Sequence, residues 1–298
     1  METHSHPDFS VAGVAAELRR RNRLLFTVAL LNAVLAVAFT ALLQLDGRML
    51  LGRNVWTKPW KFAVSISIFT ATMAWLLPSL SLGERLHRRV STTVGAAMVI
   101  EITLISLQAA RGVRSHFNVS TVLDGTVAAV MGTTIVVNTC VVGYVLWRVL
   151  RDPPALVPAY RWGIWLGLTL FLLASLEGAL MVVYGSHSVG VAPDSAGLPL
   201  LNWHYDGGDL RIAHFLGLHG LQVLPLAGYL AARRTDTTRR ALAIVGVVAL
   251  LYGGLTAVTF VRAMLGLPFL APVPTAPALG GLGAAVLAAC CGLVVIKR

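Results

Sequence analysis

Long apolar segments alternate with short polar ones along almost the whole chain. A helix of about 18–25 apolar residues is long enough to cross a hydrocarbon core of roughly 30 Å. Eight segments meet this requirement, at 24–45, 61–82, 91–110, 126–148, 162–184, 211–232, 241–263 and 277–296. The pattern therefore predicts an all-α integral membrane protein, built as a bundle of eight transmembrane helices.

The polar connections between these segments are short, with one exception at 186–208. We therefore predict a cytoplasmic N-terminal segment over 1–23, followed by a single eight-helix transmembrane domain over 24–298. The exception becomes a longer outer loop, which could form a lid or shield the helix ends.

The composition supports a membrane protein. Hydrophobic residues make up 56% of the chain and charged residues only 12%, and the mean hydropathy is +0.75. These values exclude an ordinary soluble domain. The cysteines Cys140, Cys290 and Cys291 lie within predicted spans and imply no disulfide framework.

The net charge of +11 would suggest nucleic-acid binding in a soluble protein, but here its distribution follows the predicted spans. Of the 24 Lys and Arg residues, 16 lie on alternate connections and near both ends of the chain. Basic residues concentrate on the cytoplasmic side of membrane proteins, so both termini are predicted to be cytoplasmic. We expect the lipid bilayer as partner, in the cell membrane, and no nucleic acid.

Several predicted spans carry polar groups that a lipid environment disfavours. An ionised side chain in hydrocarbon costs several kcal/mol, so such groups should face the bundle interior, pair with each other or meet water. We predict that a polar, outward-facing site contains the candidate catalytic residues Glu101, Glu177, Lys61 and Gln108. We also expect Glu101 to form a buried ion pair with Lys61 or Arg111.

The sixth predicted span carries two histidines in its outer half. If Asp209 caps this helix, His214 and His219 lie progressively deeper in the membrane. They are five residues apart, which separates them by about 140° around the helix, so we expect them to contact different partners. His187 and His204, in the outer loop, are interpreted as hydrogen-bonded interfacial residues.

Three kinds of chemistry fit these histidines. A haem would use axial imidazoles, with Arg111, Arg114 and Arg211 near its propionates. Alternatively, a zinc or iron ion would be bound by histidines and a carboxylate, with an open position for chemistry. In the third case, His and Glu side chains carry protons. The candidate metal or haem ligands are His116, His214 and His219.

These candidates lead to three hypotheses for the function. The first is a metal- or haem-dependent membrane enzyme, chiefly redox, that acts on a lipid-soluble or small extracytoplasmic substrate. The second is a proton-coupled membrane transporter that uses the same buried Glu and His groups. The third is a non-catalytic membrane assembly factor. The sequence names no substrate and leaves the choice between enzyme and transporter open.

Overall fold

The computed structural model describes residues 10–269 except 194 and 196, together with the isolated positions 281, 284, 285 and 288. The predicted eighth span, 277–296, lies outside the described residues apart from those isolated positions.

Helices form nearly all of the described structure, which confirms the all-α fold class. Seven helices, α2 to α8, are long and apolar enough to cross a membrane, and they coincide with the first seven predicted spans. The eight helices of the described chain are α1 (Val11–Arg21), α2 (Arg23–Leu45), α3 (Thr57–Leu76), α4 (Glu84–Ala110), α5 (Val122–Arg151), α6 (Pro158–Val183), α7 (Leu210–Arg234) and α8 (Thr238–Met264).

The helix ends extend beyond the apolar segments that predicted them. Helix α4 begins at Glu84 rather than near 91, because the basic stretch at 84–89 continues the helix as its polar first turns. Helix α1 lies within the predicted N-terminal segment. The Ser10 side chain caps it by accepting a hydrogen bond from the Gly13 N–H at 3.0 Å.

The chain divides into two compact units, residues 1–141 and 142–298. In the first unit, α3 packs against α2 and α4. In the second unit, α7 packs against both α6 and α8. Helix α5 contains the boundary between the two units.

A short hairpin connects α2 to α3 in the first unit. Strands β1 (Met49–Leu50) and β2 (Arg53–Asn54) are joined by Leu51 and Gly52, whose φ angles of 49° and 70° form a left-handed turn. Asp46, just after α2, fastens this hairpin to the helix ends by accepting hydrogen bonds from Arg48 and from the Trp56 indole at 2.7 Å. Bonds from Arg48 and Trp56 hold the pKa of Asp46 below its usual range.

Glycines bring α6 and α7 of the second unit into close contact. Gly163 faces the backbone of Leu224 and Pro225, and Gly167 faces Gly220. A side chain at Gly163 would overlap the Leu224 carbonyl oxygen, which cannot move without displacing the helix. Small residues thus allow the close backbone approach that stabilises helix pairs in membranes.

We expect Gly163→Ala to destabilise the protein by about 1–3 kcal/mol, because the added methyl group forces α6 and α7 apart. Gly246→Ala in α8 is the matched control, since nothing lies within 4 Å of the position of its new methyl group. The control should be neutral or stabilise by up to about 1 kcal/mol through helix propensity. Unfolding in detergent would measure both variants, and equal effects would contradict the packing argument.

A second pair of short strands lies between α6 and α7. Strand β3 (Ser188–Val189) pairs antiparallel with β4 (Gly208–Asp209), and α7 begins directly after β4. The last turn of α8 lies against β4, where Gly208 approaches the carbonyl oxygen of Ala263. The pairing of β3 with β4 thus holds the two ends of the long loop next to each other.

Candidate metal centre

Two side chains of the long loop and one of strand β4 converge beside the β3–β4 pair. One nitrogen of His187, one nitrogen of His204 and one carboxylate oxygen of Asp209 all lie within 4.8 Å of one another. Among the residues that the structure describes, this is the group of histidine, cysteine and acidic side chains arranged so that it could hold a metal ion.

The strand pair places His187 and Asp209 on neighbouring strands. His187 directly precedes β3, and its carbonyl oxygen accepts a hydrogen bond from the Leu210 N–H at 3.0 Å. Asp209 belongs to β4, opposite Ser188. Two residues that are 22 positions apart in the chain therefore become neighbours through backbone pairing alone.

His204 reaches the same place from within the loop. An isolated bridge pairs its backbone with Gly197, and its N–H donates to Asp209 Oδ2 at 3.1 Å. Its ring stacks on that of His187, with centroids 5.4 Å apart and planes within 8° of parallel. The side chain is only 3% exposed, so its imidazole is held in one position.

The two ring nitrogens of His204 differ in their surroundings. Nε2 lies 2.7 Å from the Ser188 hydroxyl oxygen. Nδ1 is buried and has no hydrogen-bond partner. A histidine that binds metal through one nitrogen commonly donates its other N–H to a nearby oxygen, which fixes the tautomer and the ring orientation. Ser188 is placed to accept that bond and leave Nδ1 for an ion.

Arg211 orients the carboxylate of Asp209. The guanidinium donates to both carboxylate oxygens, from Nε at 2.9 Å and from Nη2 at 2.6 Å, and also to the Asn202 carbonyl oxygen. Asp209 also caps α7 by accepting from the Arg211 N–H at 3.0 Å, which confirms the predicted cap. Burial favours a raised pKa for Asp209, but the Arg211 contacts prevail and the pKa lies below its ordinary value.

Two consecutive glycines allow this compact arrangement. A side chain at Gly207 would collide with Val191, and a side chain at Gly208 would overlap the Ala263 carbonyl oxygen. The backbone can therefore pass between the loop and α8 only where side chains are absent. The Gly-Gly pair fixes the position of Asp209, the next residue.

Two imidazoles and a carboxylate form a ligand set for zinc or ferrous iron. Such ions bind these groups at about 2.0–2.2 Å, which places tetrahedral ligand atoms about 3.4 Å apart. The observed separations, up to 4.8 Å, require the ligands to close by about an ångström. The Asp209 carboxylate must also exchange one of its present hydrogen bonds for the ion.

The histidines predicted as ligands have other neighbours. His116 lies in the connection between α4 and α5, where its Nδ1 is 3.2 Å from the Ser115 hydroxyl. In α7, His214 donates from Nδ1 to the Ala174 carbonyl of α6 at 2.7 Å, and His219 donates to Phe215 of its own helix at 2.7 Å. These two histidines thus have different partners, as their spacing predicts. Their roles as ligands, and that of His116, stay predictions.

The expected ion pair of Glu101 is not formed. Arg111 instead pairs with Asp124 at 2.6 Å, because Asp124 lies at the first turn of α5, next to the end of α4. Gln108 is completely buried and donates to Asp124 at 3.0 Å. Both carboxylate oxygens of Glu101 are buried without a hydrogen-bond partner.

The remaining predicted site residues lie in both units. Lys61 is half-buried in the second turn of α3, and Glu177 is buried in α6 at 6% exposure. Arg114 lies in the connection after α4, where its carbonyl oxygen accepts from Asn118 at 3.2 Å. Arg211 does take part in a site, as the partner of Asp209. The catalytic and cofactor-binding roles of these residues stay predictions.

Sequence analysis did not single out His187, His204 and Asp209 as one group. The stretch His204–Asp209 has the sequence HYDGGD and holds two of the three candidate ligands. Its glycine pair was the available signal of a tightly packed backbone next to them.

Comparisons of the chain with protein-family models, with curated proteins and with solved structures found no match. The function must therefore be inferred from the geometry of the chain itself.

Proposed function

We propose that the protein is a metal-dependent integral membrane enzyme, with one divalent ion bound by His187, His204 and Asp209. The observation that carries this proposal is the convergence of the three ligand atoms, with His204 Nδ1 buried and lacking a hydrogen-bond partner. A buried polar atom without a partner costs about 1–3 kcal/mol, and an ion would remove that cost.

Three protein ligands leave at least one coordination position open. Catalytic zinc sites use this pattern, and the bound water becomes a nucleophile near neutral pH. Two histidines and one carboxylate are also the ligand set of non-haem iron oxygenases. The identity of the ion therefore decides the reaction type: iron supports the redox chemistry that we expect from the sequence, and zinc supports hydrolysis.

The surroundings of the three ligands support a metal role. Ser188 is placed to hold the His204 ring, and Arg211 holds the Asp209 carboxylate, so each of these ligands has an orienting neighbour. Such neighbours commonly determine metal affinity by factors of 10–100. The presence of a carboxylate beside two imidazoles favours a single non-haem ion over a haem at this place.

Metal analysis of the purified full chain tests the proposal. We expect about one zinc or iron per chain, lost on chelation and restored by adding the same ion. Co²⁺ should give the visible absorption of a low-symmetry site with nitrogen and oxygen ligands. The variants His187→Ala and Asp209→Asn should both lose the ion, whereas His87→Ala, in the first turns of α4 in the first unit, should retain it.

Two results would overturn the proposal. The first is a purified protein that binds none of Zn²⁺, Fe²⁺ and Co²⁺. The second is metal binding that survives both substitutions in the triad. A Soret absorption band lost with His116 or His214 would establish the haem alternative instead.

Removing the oxygen next to His204 should weaken the metal site without abolishing it. We expect Ser188→Ala to lower the affinity for Zn²⁺ by about 10–100-fold, because His204 loses the group that fixes its ring. Ser175→Ala is the control and should leave the affinity unchanged, because the Ser175 hydroxyl donates to the Phe171 carbonyl of its own helix, α6. Competition with a chromogenic chelator measures both, and equal affinities would contradict the orienting role of Ser188.

The charge distribution predicts on which side of the membrane this centre lies. We expect cysteines introduced near 86, 155 and 236 to be labelled from the cytoplasm. Cysteines near 120 and 195 should be labelled from outside, which places the triad on the outer side. Labelling of position 236 from outside would reverse this arrangement.

A further inference from the structure

A buried carboxyl group in the first unit has no role in the metal centre. Glu101 lies well inside α4, nine residues before its end, and is 2% exposed. Neither of its carboxylate oxygens has a hydrogen-bond partner. Such a group, if ionised, costs several kcal/mol in an apolar environment unless a cation compensates its charge.

The surroundings of Glu101 are mainly apolar. Its neighbours along α4, Met98 and Ile102, belong to a buried cluster with residues of α2 and α3, including Phe39 and Ile66. Ile105, one turn further along, packs against the Val127 and Met131 side chains of α5.

The charged groups on the packed helices are few. Helix α2 carries charge only at Arg23, its first residue. Helix α3 contributes Lys58 and Lys61 in its first two turns, and Lys58 acts on Glu101 electrostatically. Helix α5 contributes Asp124, which pairs with Arg111. No ion pair with Glu101 is formed in the part of the chain that the structure describes.

These surroundings restrict what Glu101 can bind. A metal ion requires several oxygen or nitrogen ligands, and the buried neighbours of Glu101 along α4 belong to a cluster of hydrophobic side chains. A proton requires only one carboxylate oxygen. We propose that Glu101 is a proton-binding site of the first unit, which holds one exchangeable proton inside the membrane.

One end of the first unit carries the polar groups from which a proton would reach Glu101. Gln108 lies two turns further along α4, about 10 Å along the axis, and belongs to the network with Arg111 and Asp124. Lys58 and Lys61 begin α3 at this same end of the unit, because α3 and α4 are consecutive and antiparallel. The polar network of the unit thus lies at one end of the helices, two turns of α4 from Glu101.

Dicyclohexylcarbodiimide, a hydrophobic reagent for protonated carboxyl groups, tests this site in the full chain. The carboxyl oxygen forms a bond to the central carbon of the carbodiimide, while the carboxyl proton moves to one of its nitrogens. The product rearranges to a stable N-acylurea without a leaving group. We expect mass spectrometry to find this adduct at Glu101 at pH 7, and not at the exposed Glu84 of the same helix.

Glu101→Gln should lose the adduct and retain the metal content, so failure of this proposal is distinguishable from failure of the metal centre. If no adduct forms, infrared difference spectra of wild type and Glu101→Gln decide. A carbonyl band of a protonated acid that shifts in heavy water supports the proposal. Carboxylate bands, or an acid band that does not shift, overturn it.

Discussion

Replacing His204 with alanine should abolish metal binding and leave the helices folded and inserted. The substitution removes one of only three ligands, and its effect should exceed the 10–100-fold typical of residues that merely orient a ligand. We therefore expect the affinity for Zn²⁺ to fall by more than about 100-fold. The loop lies outside the apolar helix cores, so thermal unfolding of the metal-free protein should change little.

One further variant makes this result specific. His219→Ala distinguishes a metal site at the triad from one that uses His219. The His219 ring is bonded to its own helix and belongs to no group of three candidate ligands among the residues that the structure describes. The triad predicts full metal binding in this variant, and the sequence-based prediction expects its loss. Unchanged affinity in His204→Ala would contradict the triad, and so would an equal loss in both variants.

Removing Arg211 should destabilise the second unit by about 3–5 kcal/mol, because it leaves the carboxylate of Asp209 buried without its charged partner. Asp209 is 2% exposed and Arg211 is its bidentate neighbour, with Nη2 2.6 Å from the carboxylate. Unfolding should be measured with a chelator present, so that a bound ion cannot replace the missing charge.

The double variant Asp209→Asn with Arg211→Ala tests whether the two groups are coupled. It should lose less stability than the sum of the single variants, since the unpaired buried charge is the costly species. Arg148→Ala is the control: its contact with Asp152 is 3.9 Å long and largely exposed, and its loss should cost no more than about 1 kcal/mol. Strictly additive losses at 209 and 211 would contradict the coupling.

Hydropathy was sufficient to predict the seven described spans, but not their ends. A helix in lipid must satisfy its own backbone hydrogen bonds, so a long apolar segment has few alternatives to a helix. The ends extend into water, where polar residues continue the helix without an apolar signal. For this reason α4 begins at Glu84 and α3 at Thr57, both earlier than the apolar segments suggest.

The candidate metal centre could not be predicted in the same way. It depends on two strands of two residues each, which are too short to show an alternating pattern. The loop between them contains Leu200 and Asn202 with positive φ angles of 63° and 58°, a conformation that side chains rarely adopt. Local sequence preferences therefore gave no indication that His187 would meet Asp209.

The polar residues in the spans were recognised individually, but their pairing was not. Glu101 was expected to pair with Lys61 or Arg111, whereas Arg111 pairs with Asp124 at the start of the next helix. Arg111 lies ten residues beyond Glu101, about 15 Å along the axis of the same helix, so the two side chains are too far apart for a direct contact. Burial of Glu101 could be predicted, but the absence of a partner could not.

The contact between Gly208 and the end of α8 has a consequence for how the protein is made. The three ligands all precede α7 in the chain, but their strand pair is supported by Ala263 and Gly266, which come more than 50 residues after Asp209. During synthesis the ligands therefore emerge well before the surface that holds them in position. If the triad binds an ion, its loading should be one of the last steps of biogenesis, and the bound ion would mark chains whose seventh described span is already in place.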